Sequence, residues 1–264
     1  MEIIICPDVD EVARVAADTV AQVARRVGPT VVLGLATGSS PLGLYARLSE
    51  MVAAGELDFS QATGFALDEY VGMPEGHPES YAAVIRRTVT EPLGLDPARV
   101  HVPDGRAADI EQACVDYEQA IVDAGGIDIQ ILGVGANGHI GFNEPSSSLA
   151  SRTRIKTLTP RTREDNARFF DSLDQVPVHC LTQGLGTIMQ ADEVVLVATG
   201  AAKASAIAAL VEGPITAMVP GSILQMHRYA TVVVDELAAS ELTMTPYYRW
   251  AKDHKPGWQG YGQD

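Results

Sequence analysis

Short runs of Val, Ile and Leu recur along the chain, separated by longer stretches whose apolar residues fall three and four positions apart. The runs Glu2–Cys6, Val31–Ala36, Ala62–Leu67, Ile127–Leu132, Val194–Ala198 and Thr231–Val234 do not alternate with polar residues, so they read as strands buried on both faces. Val9–Val27 has helical periodicity, with Asp8 or Asp10 placed to cap it and Gly28-Pro29 placed to end it. Pro41–Ala54, closed by Gly55, also reads as a helix, as do Ser80–Val89, Ala107–Asp123, Pro160–Phe170, Ala201–Val211 and a short piece over Val219–Met226. Buried strands alternating with helices predict an α/β, Rossmann-like fold: a mostly parallel sheet with helices on both faces. No repeat, low-complexity stretch or linker interrupts the pattern, so residues 1–264 are expected to form a single domain.

Composition narrows the function more than the fold. At 46% hydrophobic residues the chain has the material for a sizeable core. Its net charge of −15 argues against non-specific binding to nucleic acid or to an anionic membrane. Cys6, Cys114 and Cys180 are far apart and odd in number, which fits neither a disulfide framework nor zinc-ligand spacing, and Cys6 and Cys180 read as small core hydrophobes. With no secretory pattern at the N-terminus and no apolar run of membrane-spanning length, a cytoplasmic location is expected. Six of the 19 basic residues fall between Arg152 and Arg168, a cluster that suits either a small anionic ligand or a solvated basic face.

The candidate chemistry lies just after the strands, where ligands gather in open α/β sheets. After Ile127–Leu132 comes Gly133–Pro145, GVGANGHIGFNEP. Its glycines Gly133, Gly135 and Gly138 permit tight turning and close approach of the backbone to a ligand, and Asn137, His139 and Glu144 bring an amide, an imidazole and a carboxylate together. The spacing Gly133-x-Gly135-x-x-Gly138 matches a dinucleotide-binding fingerprint, but the chain runs on into Asn143-Glu144-Pro145 and three serines, not into the helix that fingerprint requires. His139 therefore reads either as a structural histidine or as an acid/base group held by Glu144, without the ligand density of a metal site. Thr37-Gly38-Ser39-Ser40-Pro41 leads from a strand into a helix, offering backbone N–H groups, hydroxyls and a positive helix end to an anion such as a phosphate monoester. Arg168 and Lys203, each near a helix, are the cations available to complete such a site. Asp68-Glu69-Tyr70 also follows a strand directly, supplying either a general base or a carboxylate bonded to loop amides. Together these pieces suit proton transfer on a phosphorylated sugar without redox or metal chemistry, and leave isomerase, deaminase and lactonase open.

The segments LDEYVGMPEGHPESY (Leu67–Tyr81), GVGANGHIGFNEPSSSLASRTRIKTLT (Gly133–Thr159) and ATGSSP (Ala36–Pro41) closely resemble glucosamine-6-phosphate deaminases, and the likeness spans nearly the whole chain. That resemblance implies conversion of D-glucosamine 6-phosphate and water to D-fructose 6-phosphate and ammonium, in amino-sugar breakdown, with no organic cofactor and no metal. It implies that Asp68 moves a proton between C2 and C1, that His139 opens the sugar ring, and that Glu144 and Asn137 hold His139. Asn137 stands where some members carry aspartate; a neutral amide orients a hydrogen bond but lends no charge to an imidazolium. Gly38, Ser39 and Ser40 match the family's phosphate loop, with serines partly replacing Gly and Thr, and Arg168 and Lys203 match its phosphate-binding cations. Ser147, Arg154, Lys156 and Thr157 match the residues with which allosteric members bind N-acetylglucosamine 6-phosphate between subunits, which implies a homo-oligomer, a hexamer by preference, activated by that ligand. The match weakens near the C-terminus, where the aromatic expected in this site aligns poorly with Tyr248. The rival readings are a 6-phosphogluconolactonase, separated by ammonium release, and a non-catalytic sugar-phosphate sensor, which has no need of a proton relay.

Overall fold

A computed structural model describes residues 1–256. Seven parallel strands form the main sheet: β1 (Glu2–Cys6), β2 (Val32–Leu35), β3 (Thr63–Ala66), β5 (Val100–His101), β6 (Ile129–Leu132), β9 (Glu193–Ala198) and β10 (Ala230–Asp235), in the order β1-β10-β9-β6-β2-β3-β5. A second, antiparallel sheet of three strands, β4 (Asp68–Tyr70), β8 (His179–Thr182) and β7 (Arg154–Thr157), stands beside it in the order β4-β8-β7. The helices are α1 (Val9–Val27), α2 (Leu42–Ala53), α3 (Tyr81–Ile85), α4 (Glu91–Leu93), α5 (Ile110–Asp123), α6 (Pro160–Asn166), α7 (Leu185–Ile188), α8 (Ala204–Val211) and α9 (Thr245–Asp253).

The mostly parallel sheet with flanking helices is the architecture the apolar runs predict. Strands such as β9 and β10 are buried along nearly their whole length because helices cover them. The main apolar core runs from Ile3 to Leu242, and a smaller cluster gathers around Tyr70, Phe142 and Cys180. The helix boundaries follow local chemistry. Asp8 caps α1 by accepting from the Glu11 amide at 2.8 Å, and Gly28 ends it at φ +95. Three helices expected as single pieces are composite. Ser80–Val89 is α3 plus a wider turn over Arg86–Thr90, and Pro160–Phe170 is α6 plus a tight turn over Ala167–Phe169. Ala201–Val211 is a tight turn over Ala201–Lys203 followed by α8. The piece expected over Val219–Met226 is a 3-10 helix, Pro220–Met226. Among the described residues no helix is long and apolar enough to cross a membrane.

Strand order explains where a ligand can enter. From β2 the chain builds outward through β3 to β5, whereas β6, on the other side of β2, leads to β9 and β10. The loops leaving β2 and β6 therefore diverge, and a crevice opens between them at the carboxyl edge of the sheet. The small sheet closes one side of that crevice: Asp68 in β4 faces Thr182 in β8, which also faces Arg154 in β7.

Candidate active site

The cleft at this switch point measures about 170 Å³, and four strand ends contribute to it. Gly38, Ser39 and Ser40 come from the end of β2, Asp68 from the segment after β3, His139 from the loop after β6, and Lys203 from the turn after β9. Arg168 reaches the same cleft from the tight turn after α6. Seven residues expected to act together from sequence thus line one cavity. Asn137 and Glu144 stand immediately behind His139. Ser147, Arg154, Lys156 and Thr157 are not among its lining residues.

The side of the cleft where the sequence expects a phosphate is built from backbone and charge. Gly38 sits at φ +92, where an L side chain is strained, and nothing would touch an added Cβ within 4 Å, so glycine is required here by backbone conformation and not by space. Gly38 and Ser39 are exposed at the mouth, and the N-terminus of α2 follows them. Lys203 is half-buried and donates to the Val134 carbonyl at 2.7 Å. Burial, opposed by Asp165 and reinforced by Arg168, lowers its pKa below the usual lysine range. Arg168 is exposed and lies over the Phe169 ring, 4.7 Å from its centroid. The basic cluster around it does not act as a unit. Arg152 pairs with Glu118, Arg154 donates to Asn143, Arg161 pairs with Asp165, and Arg163 donates to the Leu173 and Val176 carbonyls. Of that cluster, Arg168 alone lines the cleft.

Two adjacent carboxylates in β4 have opposite roles because neighbouring strand residues point to opposite faces. Glu69 accepts from the amides of Tyr70, Tyr81 and Ala82 at 2.8, 2.9 and 2.9 Å, so it anchors the start of α3. Asp68 is 6% exposed, and among the described residues no donor reaches its carboxylate. Burial pushes its pKa well above the usual carboxylate range, and the Glu69 charge adds to the shift. The structural carboxylate that the sequence left open is Glu69; Asp68 is the one facing the cleft.

The loop Gly133–Pro145 is organised around His139. An added Cβ at Gly135 would stand 2.2 Å from His139 Cε1, so the close approach this glycine permits is that of the imidazole itself. No helix follows Gly138: the chain makes an Ile140–Asn143 bridge and the next helix is α6, which removes the dinucleotide reading. His139 Nδ1 lies 3.4 Å from Glu144 Oε2, an ion-pair distance longer than a formed hydrogen bond. Asn137 donates from Nδ2 to Glu144 Oε2 at 2.8 Å and accepts from the His139 amide at 3.2 Å, so the neutral amide braces both members of the pair. Thr159 Oγ1 donates to Glu144 Oε1 at 3.3 Å, and Thr162 donates to the same oxygen. Burial acts to raise the Glu144 carboxyl, but the His139 ring together with the Thr162 and Asn137 donors outweighs it and brings the pKa down to about 2. Glu144 therefore stays ionised beside the imidazole.

Sequence reasoning missed Thr162, Asn166 and Tyr81, which also line the cleft. Tyr81 lay within a motif segment and Thr159-Pro160 is a legible helix start, but nothing local shows that Thr162 reaches Glu144 or that Asn166 donates to Tyr70 Oη across 96 positions. At the second set of residues, Arg154 and Lys156 share one face of β7 and Thr157 takes the other. Arg154 donates to Asn143 Oδ1 at 2.8 Å, while its Nη2 and the Ser147 hydroxyl are buried without a partner among the described residues. Tyr248 donates to Glu212 Oε1 at 3.1 Å.

Residues 7–233 match the family of glucosamine-6-phosphate isomerases and 6-phosphogluconolactonases. The chain is 58% identical over 255 residues to a glucosamine-6-phosphate deaminase of Cutibacterium acnes, covering 97% of each chain. It is 58% identical over 260 residues to one from Pseudarthrobacter chlorophenolicus, covering 98% of this chain and 100% of that one. Among solved structures it resembles a monomeric glucosamine-6-phosphate deaminase at TM-score 0.88 and 40% identity, over 91% of this chain and 100% of that one. A 6-phosphogluconolactonase from Trypanosoma cruzi, at TM-score 0.74 and 21% identity over 92% of this chain and 97% of that one, shares the fold.

Proposed function

The chain belongs to the glucosamine-6-phosphate isomerase/6-phosphogluconolactonase family and groups there with the glucosamine-6-phosphate deaminases; on that premise we propose how its cleft converts D-glucosamine 6-phosphate and water to D-fructose 6-phosphate and ammonium. The 6-phosphate is held by the Gly38–Ser40 loop, Arg168 and Lys203. His139 opens the ring by passing a proton from the O1 hydroxyl to the ring oxygen, with Glu144 ionised behind it to favour the transient imidazolium. Asp68 then takes the C2 proton. The C2–H electron pair forms the C1=C2 bond while O1 gains a proton. Return of a proton to C1 leaves C2 doubly bonded to nitrogen; water adds there and the amine leaves as ammonium.

The observation that carries this reading is the donorless, buried carboxylate of Asp68 facing the same cavity as His139. A carboxylate with a raised pKa transfers protons at near-neutral pH more readily than an ordinary one, which suits both abstraction and return. None of these steps needs a metal or an organic cofactor. Ammonium and fructose 6-phosphate released in equal amounts from glucosamine 6-phosphate would support the reaction. Well-folded protein that releases neither product would refute it and turn attention to lactonase activity.

Ser147, Arg154, Lys156 and Thr157 form a second anion site for N-acetylglucosamine 6-phosphate, between the subunits of a homo-oligomer, a hexamer by preference. Support comes from the partnerless buried Nη2 of Arg154 and hydroxyl of Ser147, since buried polar atoms ordinarily have partners. Support for Thr157 is weaker, because it faces away from Arg154 and Lys156. Sigmoidal substrate kinetics that become hyperbolic with the ligand, on a species shown by ultracentrifugation to be oligomeric, are the expected result. Hyperbolic kinetics unaffected by the ligand would remove the second site. We place the enzyme in the cytoplasm, in amino-sugar metabolism.

A further inference from the structure

Among the described residues no hydrogen bond or ion pair fixes Arg168; its recorded contact is with the ring of the adjacent Phe169. Lys203, by contrast, is tied to Val134. What sets the place of Arg168 is therefore the segment that carries it. That segment is attached at Thr162 to Glu144, at Arg163 to the Leu173 and Val176 carbonyls, and at Asn166 to Tyr70. The last is the hydrogen bond nearest to Arg168, two positions upstream; Phe170, two positions downstream, packs on the Tyr70 and His77 rings but makes no directional bond to them.

Asn166 begins the tight turn Ala167–Phe169, where an Asn side chain ordinarily caps its own turn. Here it makes no cap. Its Nδ2 instead donates to Tyr70 Oη at 3.0 Å, an oxygen that also accepts from Tyr81 at 3.3 Å. Tyr70 is 2% exposed and packs against Tyr81, Phe142 and Phe170, with ring centroids 4.8, 5.9 and 5.9 Å away. It lies two residues after Asp68 in β4 and so shares the face of the base. A rigid aromatic cluster on the strand of the base thus provides the anchor for the turn that presents the cation.

We propose that Asn166 is a positioning residue for phosphate recognition: its bond to Tyr70 fixes the turn that places Arg168, and so sets the spacing between the phosphate cation and the Asp68 strand. The proposal rests on the reading of Arg168 as a phosphate ligand. A neutral hydrogen bond of this kind corresponds to roughly a two- to tenfold effect on an equilibrium.

The test uses the full chain with Asn166→Ala, Tyr70→Phe, the double variant, and Arg168→Ala as reference. KM for glucosamine 6-phosphate, kcat and the inhibition constant of inorganic phosphate are measured for each. Asn166→Ala and Tyr70→Phe are each expected to raise KM and the phosphate constant by about two- to tenfold, with a smaller change in kcat. The double variant should be no worse than Tyr70→Phe, which removes the bond to Asn166 together with the one from Tyr81. Tyr70→Phe keeps the ring and its packing, so it answers the question even if Asn166→Ala fails to fold. Unchanged KM and phosphate constants in Tyr70→Phe, with both raised in Arg168→Ala, would overturn the proposal alone. Unchanged constants in Arg168→Ala would overturn the phosphate reading, and the proposal with it. A lower Tm without any change in KM would show Asn166 to be merely structural.

Discussion

Replacing Asp68 with Asn removes a proton acceptor and a buried charge together, and the two effects run in opposite directions. On the catalytic side, a positioned general base contributes about 10²–10⁴ in rate, so kcat should fall by that factor. KM should change little, because the phosphate loop, Arg168 and Lys203 are untouched. On the stability side, the folded protein holds the Asp68 carboxyl with a raised pKa because it is buried, lies beside Glu69 and receives no donor. A raised pKa means that the folded state binds this proton more tightly than the unfolded chain does. Its stabilising contribution is full below the unfolded carboxylate range and is lost as pH rises towards the folded value. At pH 7.5 the wild type carries that loss and the neutral amide does not. Asp68→Asn should therefore be more stable at pH 7.5, with a gain of about 1 kcal/mol raising Tm by roughly 2–4 °C. The difference should shrink at pH 4.5. Ammonium release and thermal melts at both pH values measure the two halves. Turnover within tenfold of wild type would remove Asp68 as the base. A lower Tm at pH 7.5 would refute the account of its burial.

The relay and the phosphate loop make separate expectations. Glu144 is held down at about 2, so its contribution to stability is present above the ordinary carboxylate range and is lost as pH falls from about 4.5 towards 2. Urea melts at pH 5.5 and 2.5 should show a smaller acid loss in Glu144→Gln than in wild type, by about 2–3 kcal/mol; equal losses would contradict the strong tethering of Glu144. Asn137→Asp puts a second carboxylate where the amide now donates to Glu144 at 2.8 Å, and added negative charge favours an imidazolium. The ring-opening limb of the pH–rate profile should move up by about one unit, and an unmoved limb would separate Asn137 from the relay. Gly38→Ala meets open space but must adopt φ +92, so stability should drop by about 1–2 kcal/mol and inhibition by inorganic phosphate should weaken. Unchanged stability would mean that the loop readily adopts another conformation.

Fold and site were legible to different depths, for physical reasons. The parallel strands were visible because burial on both faces demands unbroken runs of Val, Ile and Leu, as in β9 and β10. The short β5 has two residues, and the small sheet has strands of three or four, too few to show a period. β7 reads RIKT, with charged residues on its more buried side, the reverse of what a strand at the edge of a core suggests. Helix α9 has no fully buried residue, and its contact with the core through the partly buried Tyr248 left a pattern too irregular to read, although its Pro246 is well placed at a helix start. Within the site, the loops after strands carried their chemistry in consecutive residues and were readable. The braces were not. Thr162 to Glu144 spans 18 positions and Asn166 to Tyr70 spans 96, and neither leaves a mark on the local pattern.

The assignment of roles within Asp68-Glu69 shows how little freedom the chain has once it is folded. Strand geometry sends two consecutive side chains to opposite faces, so the pair cannot both face the cleft. Which of them does so is decided by register, since a slip of one residue against β8 would exchange the faces. The register is held by Asp68 opposite Thr182 and Tyr70 opposite Cys180, and Thr182 in turn receives the Phe142 amide on its hydroxyl at 3.0 Å. One threonine therefore sits beside the strand of the base and holds the loop of His139. Glu69 reinforces the arrangement from the other face, because its carboxylate ties β4 to the α3 start through the Tyr81 and Ala82 amides while also accepting from Tyr70. The carboxylate turned away from the cleft thus helps fix the one that faces it, so the proposed base depends on both acids of the motif.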